Sequence, residues 1–309
     1  MRGTGTIDAE QKSELRELVG ARVAFDEPLA RYTSLRVGGP ADALVRVDSR
    51  DELARLCALC RSWDLPLWIL GGGFNTLVRD EGVRGVVVRL QGLRRLERER
   101  SGCLYAEAGV THSTVARFCA DHALTGLEFA VGIPGTVGGW LAMNAGIADR
   151  EMKDVTLSVE LLDPASGHLE TRERDELRFG YRHLELSPDA VLLAARFATR
   201  PGDAGEIRAV MRRHLDARRD TQPTDQLSCG SVFKNPPGDH SGRLIEAAGL
   251  KGVREGGAEI SLLHANFIVN RGGASAADVL RLIARAREAV ESRFGVSLET
   301  EVHVRGEDA

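Results

Sequence analysis

The sequence predicts a mixed protein of α/β or α+β class, on three observations. Short apolar runs of strand length alternate with segments of helical periodicity, in a β-α-β-loop-β opening. Two glycine clusters, Gly71-Gly72-Gly73 and 132–139, follow apolar runs. A polar stretch at 228–236 lies in the final third and is closed by Pro236 and Pro237, where no helix can run on.

Along the chain, residues 1–20 read as a polar leader with a helix over 10–19. A strand is expected at 44–47, then a helix over 49–63 that opens like a capping box with Ser49 and Glu52. Leu53, Leu56, Cys57 and Cys60 recur at i, i+3, i+4, i+7, which puts both thiols on the buried face of that helix. No second C-x-x-C completes a zinc site, so they read as core. Strands are expected at 66–70, running straight into Gly71, at 86–90, and at 104–108 after a charged hairpin region over 94–100. A helix follows with Val115, Phe118 and Cys119 toward the core, then the second glycine cluster, leading to Met143-Asn144-Ala145-Gly146. Val155, Leu157, Val159 and Leu161 alternate, which predicts a strand with one buried face, and 191–197 reads as another strand. Arg200-Pro201-Gly202-Asp203 is the best boundary, before a helix over 206–218. The final third then shows a loop-like segment at 252–257 and a strand at 266–270. A helix over 275–294 carries Val279, Ile283, Ala286 and Val290 on one face and stops at Gly295. A last strand is expected over 296–304.

Composition narrows the function. The 309 residues suffice for two or three domains, and 43% apolar with 28% charged residues is ordinary for a soluble protein. A net charge of −4 and a pI of about 6.1 do not indicate a nucleic-acid partner. No signal-like start and no run of 18 apolar residues is present, so no membrane association is expected and the cytoplasm is the expected location. The five cysteines are odd in number and widely spread, so they form no disulfide framework. None of the eight histidines has metal-ligand spacing, so no metal is expected. No protein partner is called for.

Glycines strip side chains away so that backbone N–H groups can hold phosphate oxygens. Neither cluster fits a common template. Thr76 stands where a G-x-G-x-x-G motif needs glycine, and no G-K-[ST] occurs. Both clusters lead to polar residues, Asn75-Thr76 and Asn144, so they read as a ligand held from two sides or as a pair of tight turns. Tyr181-Arg182 follows Phe179-Gly180 in a turn, where Arg182 is an anion clamp or a surface arginine. On the last strand Ser297, Glu299, Glu301 and His303 share one face, either for proton chemistry or as a solvated face. His264, just before the 266–270 strand, is a candidate ligand contact. The 228–236 stretch places two hydroxyls (Ser228, Ser231), the Cys229 thiol, the Lys234 ammonium and the Asn235 amide together. It is a polar turn, or a loop that holds a hydroxyl donor beside a cation.

Five motifs in register carry a resemblance that covers nearly the whole chain. They are Leu70-Gly71-Gly72-Gly73-Phe74-Asn75-Thr76-Leu77, Gly132-Ile133-Pro134-Gly135-Thr136-Val137-Gly138-Gly139, Tyr181-Arg182, Gly230-Ser231-Val232-Phe233-Lys234-Asn235-Pro236 and Ala248-Gly249-Leu250-Lys251-Gly252. The chain resembles the UDP-N-acetylenolpyruvoylglucosamine reductase family, in its shorter subclass. The resemblance implies an α+β protein: a two-lobed FAD-binding domain of the vanillyl-alcohol-oxidase type over 21–200 (lobes about 21–90 and 91–200), then a smaller α+β substrate-binding domain over 201–309. It implies non-covalent FAD, held by Gly71, Gly72, Gly73, Phe74, Asn75 and Thr76, by Gly132, Ile133, Pro134, Gly135, Thr136 and Gly138, and by Asn144 and Gly146. NADPH would be the reductant, and a UDP-sugar enolpyruvyl ether the small-molecule substrate. In the family reaction NADPH reduces FAD and leaves; the substrate then takes hydride from flavin N5 at C3 and a proton at C2. The family's proton donor falls on Ser231 and its two partners on Arg182 and Glu301, with Tyr181, Lys234, Asn235 and His264 as substrate contacts. Three departures stand out. Leu184 replaces the serine of Tyr-Arg-x-Ser, Cys229 replaces a small apolar residue, and the insertion bearing a substrate-covering tyrosine is missing. An FAD oxidase of the same fold, or a non-catalytic flavin or nucleotide binder, is the alternative.

Overall fold

A computed structural model of the chain describes residues 7–147 and 149–307. They form two compact units, each built from separated stretches of chain: 7–25, Asp42–Gly72 and Gly85–Asp216 in the first, and Asp26–Ala41, Gly73–Arg84 and 217–307 in the second.

The first unit carries most of a four-stranded sheet in the order Val23–Pro28, Pro40–Arg46, Val83–Arg89, Leu67–Ile69. Its last two strands run parallel. The helices Ala9–Val19 and Arg50–Ser62 bury Leu15, Val19, Leu53, Leu56, Cys57 and Cys60 in a core shared with Ala43, Val45, Val86 and Val88. Both thiols face inward, as their spacing requires, and burial pushes them up to about 11 and about 12. The capping box is only half made. The Ser49 hydroxyl accepts from Glu52 N–H at 3.1 Å, but the Glu52 carboxylate takes two Arg22 hydrogen bonds of 2.5 Å and the Asp48 N–H at 2.7 Å instead.

The same unit holds a five-stranded antiparallel sheet in the order Leu169–Glu173, Thr156–Leu162, Val191–Phe197, Leu104–Glu107, Leu96–Arg98. The helices His112–Asp121 and Val137–Ala142 supply Val115, Cys119, Trp140 and Leu141 to its core. The expected alternation fails at Leu157, which is 40% exposed. Thr156 lies opposite Phe197 and Ser158 opposite Arg196, so Leu157 is the extra residue of a bulge and is turned outward. Arg200–Pro201 pairs with Leu124–Thr125, and the helix Ala204–Thr221 sends Ile207 and Met211 into this core.

In the second unit a four-stranded antiparallel sheet runs Leu227–Ser231, Phe267–Asn270, Ala258–Ile260, Arg254–Glu255. The stretch expected to be loop-like at 252–257 is therefore part of a hairpin, turned by Gly256-Gly257 with Gly256 at φ +50°. The helix Ala276–Phe294 is capped by Ser275, whose hydroxyl accepts from Asp278 N–H, and ends at Gly295 with φ +67°. Val279, Ile283, Ala286 and Val290 are buried as their spacing predicts.

The last strand is shorter than expected. Only His303–Arg305 forms a ladder, parallel to Thr76–Val78; before it, Thr300 makes an isolated bridge to Phe233. Glu301 and Val302 both send their N–H to the Val232 carbonyl, at 2.8 and 3.3 Å. Burial still alternates as the sequence predicts, with Val296, Leu298, Val302 and Val304 packed inward and Ser297, Glu299 and His303 exposed. The α+β class is as expected. Among the described residues no helix is long and apolar enough to cross a membrane, and no acidic, His or Cys group could hold a metal.

Candidate active site

The two glycine turns approach each other in the first unit. A Cβ added to Gly71 would sit 3.2 Å from the Thr136 hydroxyl. Thr136 precedes the helix Val137–Ala142, yet its hydroxyl makes no capping bond. Gly138 passes against Ala108, where an added Cβ would meet the alanine methyl at 3.0 Å, and Trp140 Nε1 donates to the Ile133 carbonyl at 2.9 Å. Gly132 is buried and Pro134 partly so. Gly135 has φ +134°, a conformation closed to most residues, and an added Cβ there would meet nothing within 4 Å. This edge of bare backbone, with a hydroxyl not used for capping, fits the phosphate oxygens of a dinucleotide cofactor.

Gly72 ends the first-unit stretch Asp42–Gly72, and Gly73 opens the second-unit stretch Gly73–Arg84. Gly73 must be glycine: its φ is +70° and a Cβ would fall 2.1 Å from the Tyr32 carbonyl. Phe74 is 38% exposed. Asn75 Nδ2 donates to the Glu301 carbonyl at 3.1 Å, and Thr76 starts the strand beside His303.

Ser231 ends the strand Leu227–Ser231. Ser228 pairs with Val269 and Ser231 with Phe267, so the strand has one residue too many between them, with Gly230 at φ +77°. A bulge of this kind re-aims the next side chain. The carbonyl of Ser228 accepts from the Ser34 hydroxyl at 2.6 Å, tying the segment around residue 34 to this loop. Glu301 lies alongside, its N–H on the Val232 carbonyl. Burial pushes the neighbouring Cys229 thiol up to about 12; its own backbone hydrogen bond opposes this, and the charge of Glu301 adds to it. Ser231 and Glu301, distant in sequence, are thus on adjacent backbone segments of one unit. Glu299 is different: its side chain is 72% exposed and paired with Lys234. Asn235 Oδ1 accepts from Ser241 N–H at 3.1 Å. His264 accepts from Asn266 N–H at 3.2 Å through Nδ1, and its ring meets Phe267 edge-on with centroids 4.9 Å apart. Burial, then the Lys251 charge, lower its pKa, so it is neutral at pH 7.

Arg182 belongs to the first unit. Phe179–Gly180 and His183–Leu184 pair antiparallel, leaving Tyr181 and Arg182 as a two-residue turn with Arg182 at φ +56°. A left-handed arginine is strained by about 1–2 kcal/mol, and such strain concentrates at functional positions. The guanidinium stacks over the Tyr181 ring at 5.0 Å. Leu184, in the serine position, is a buried core residue. Asn144 is fully buried at φ +38°, with Nδ2 donating to the Gly180 carbonyl at 2.9 Å and to Glu151 Oε2 at 3.0 Å, and Oδ1 accepting from Lys153 N–H at 3.0 Å. Gly146 is a packing glycine, since a Cβ would fall 2.4 Å from the Arg150 carbonyl and 2.7 Å from Glu151 Cγ. Glu151, whose carboxylate reaches to 3.9 Å from Arg182 Nη1, was given no role by sequence reasoning. No spacing rule points to it.

Comparison with known proteins agrees with this architecture. The family model for an FAD binding domain matches residues 41–172, and the model for the C-terminal domain of UDP-N-acetylenolpyruvoylglucosamine reductase matches 222–305. A protein of that name from Syntrophus aciditrophicus is 47% identical over 301 residues, covering 96% of both chains. Another, from an Anaeromyxobacter species, is 48% identical over 309 residues, covering 99% of this chain and 95% of its own. The crystal structure of the Thermus caldophilus reductase superimposes with a TM-score of 0.79 at 38% identity, over 92% of this chain and 98% of its own. The chain belongs to the UDP-N-acetylenolpyruvoylglucosamine reductase family of FAD-binding oxidoreductases.

Proposed function

We propose that the protein reduces UDP-N-acetylenolpyruvoylglucosamine to UDP-N-acetylmuramate with NADPH as hydride source, a step in peptidoglycan precursor synthesis. The observation that carries the reading is the bulge that sets Ser231 apart from its strand, beside the backbone of Glu301.

The two glycine turns, Gly71 to Thr76 in sequence and Gly132 to Gly138, are the cofactor cradle in this reading. FAD, when bound, supplies hydride acceptance from the nicotinamide and hydride delivery to C3 of the enolpyruvyl group. What remains for the protein is the charge and the proton at C2. The Ser231 hydroxyl is assigned the proton donation; a serine is a poor acid in water and acts only in a site that stabilises its conjugate base. The planar guanidinium of Arg182 is assigned the stabilisation of developing enolate charge, and the positioned carboxyl group of Glu301 shares that role. Tyr181, Lys234, Asn235 and His264 are assigned to the substrate. Neutral His264 would bind by hydrogen bonding rather than by charge.

A stopped-flow experiment on the holoenzyme separates the half-reactions. Ser231→Ala should leave flavin reduction by NADPH within about twofold of wild type and slow reoxidation by the enolpyruvyl substrate by roughly 100-fold or more, the upper range for general acid catalysis. Equal slowing of both halves would remove Ser231 from proton transfer.

A further inference from the structure

We propose that Glu151 is a positioning residue for Arg182, holding both its side chain and its backbone; this rests on the role given to Arg182 above. The Glu151 carboxylate is mostly enclosed, with its side chain 18% exposed. Besides capping the turn at Met152–Asp154, it faces three side chains among the described residues. Oε2 accepts from Lys153 Nζ at 2.6 Å and from Asn144 Nδ2 at 3.0 Å, and Oε1 lies 3.9 Å from Arg182 Nη1.

The distances separate two roles. Lys153 makes the close ion pair, so the negative charge of Glu151 is largely answered before Arg182 is reached. At 3.9 Å, Oε1 makes the longer of the two pairs, close enough to bias where the Arg182 guanidinium lies.

Asn144 gives the same carboxylate a hold on the backbone. Its amide spans Glu151 and the Gly180 carbonyl, the residue just before the Tyr181-Arg182 turn. Both donor hydrogens are thereby engaged, so the function of this fully buried amide is to fix the turn. The turn needs fixing, because Arg182 occupies a left-handed conformation that an arginine does not favour. Gly146 completes the arrangement: any side chain there would displace the Glu151 stem. The Leu184 side chain offers no hydrogen bond, and Glu151, Asn144 and the Tyr181 ring are among the groups that support Arg182.

The test is a double-mutant cycle on the FAD-loaded enzyme, read in both half-reactions, with Glu151→Gln, Arg182→Lys and the double variant. Glu151→Gln should slow reoxidation by the enolpyruvyl substrate about 10- to 100-fold, the scale of a misplaced catalytic group. Flavin reduction by NADPH and FAD retention should stay within about twofold. The double variant should be little slower than Arg182→Lys alone, because both changes disable one group. Glu151→Asp, which keeps the charge, should recover part of the loss, and it stands in if Glu151→Gln folds poorly. Multiplicative effects, equal slowing of both half-reactions, or wild-type reoxidation in Glu151→Gln and Glu151→Asp would overturn the proposal while leaving Arg182 in its role. Wild-type reoxidation in Arg182→Lys would overturn both.

Discussion

Ser231 and Glu301 differ from Ser228 and Glu299 in backbone placement, not in chemistry. Ser228 sits in regular register opposite Val269, whereas Ser231 follows a glycine bulge; Glu299 is solvated and bound to Lys234, whereas Glu301 is half-buried with its backbone pinned from Val232 and Asn75. Glu301→Gln should therefore slow reoxidation of the reduced flavin by at least about tenfold more than Glu299→Gln, within the range for positioned acid–base groups. The reverse order in a single-turnover assay would show that the wrong carboxylate has been chosen. Cys229, although next to this loop, is no nucleophile. Burial pushes its thiol up to about 12, and all five cysteines are buried and free. A chromogenic disulfide reagent at pH 8 should find fewer than one reactive thiol per native chain and five in denaturant; fast reaction of the native protein would contradict this placement.

At the scale of elements, glycine torsions and helix caps are the sensitive points. Gly73→Ala would drive a methyl to within 2.1 Å of the Tyr32 carbonyl at φ +70°, so it should destabilise by roughly 3 kcal/mol or more and release FAD, seen as a lower melting temperature and lost flavin absorbance. Ser275→Ala should cost about 1 kcal/mol through the lost cap of Ala276–Phe294 and leave the flavin spectrum intact. Loss of FAD in the Ser275 variant, or retention in the Gly73 variant, would reverse the assignment of one glycine to the cofactor turn and one serine to stability. The helices were legible because their periodicity is local: Leu53, Leu56, Cys57 and Cys60 face the core as spaced. Strand irregularities were not. Leu157 turns outward because its strand slips by one against Val191–Phe197, and the 296–302 run loses its ladder because two N–H groups converge on Val232.

For the molecule as a whole, acid should be the weak side. Four enclosed carboxylates sit below their ordinary pKa. For Glu52 and Glu160 burial acts upward, but Arg22 on the one, and Arg50 and Arg196 on the other, outweigh it. Glu259 is lowered by Arg271 and then, against burial, by Arg254; Asp278 is lowered chiefly by the Ser275 N–H. A carboxylate with a depressed folded pKa contributes stability that is complete above its unfolded value, about 4. That stability is lost as pH falls through the folded value. Melting temperature should therefore hold from pH 7 to about 5 and drop steeply below about 4. Glu259→Gln should melt lower than wild type at pH 7, with a gap that narrows by pH 3; a constant gap would mean that Glu259 acts through shape and not charge. The sequence by itself determined the buried helix faces and the glycine turns, which are written in short-range spacing, and, through five motifs, the family and with it the α+β class. Only the tertiary structure decided that Glu151 and Asn144 support Arg182, that Glu299 is solvated and paired with Lys234 whereas Glu301 is half-buried, and that a bulge precedes Ser231. These depend on register and approach between segments up to 70 residues apart in the case of Ser231 and Glu301, and a sequence pattern carries no record of which side chains such pairing brings together.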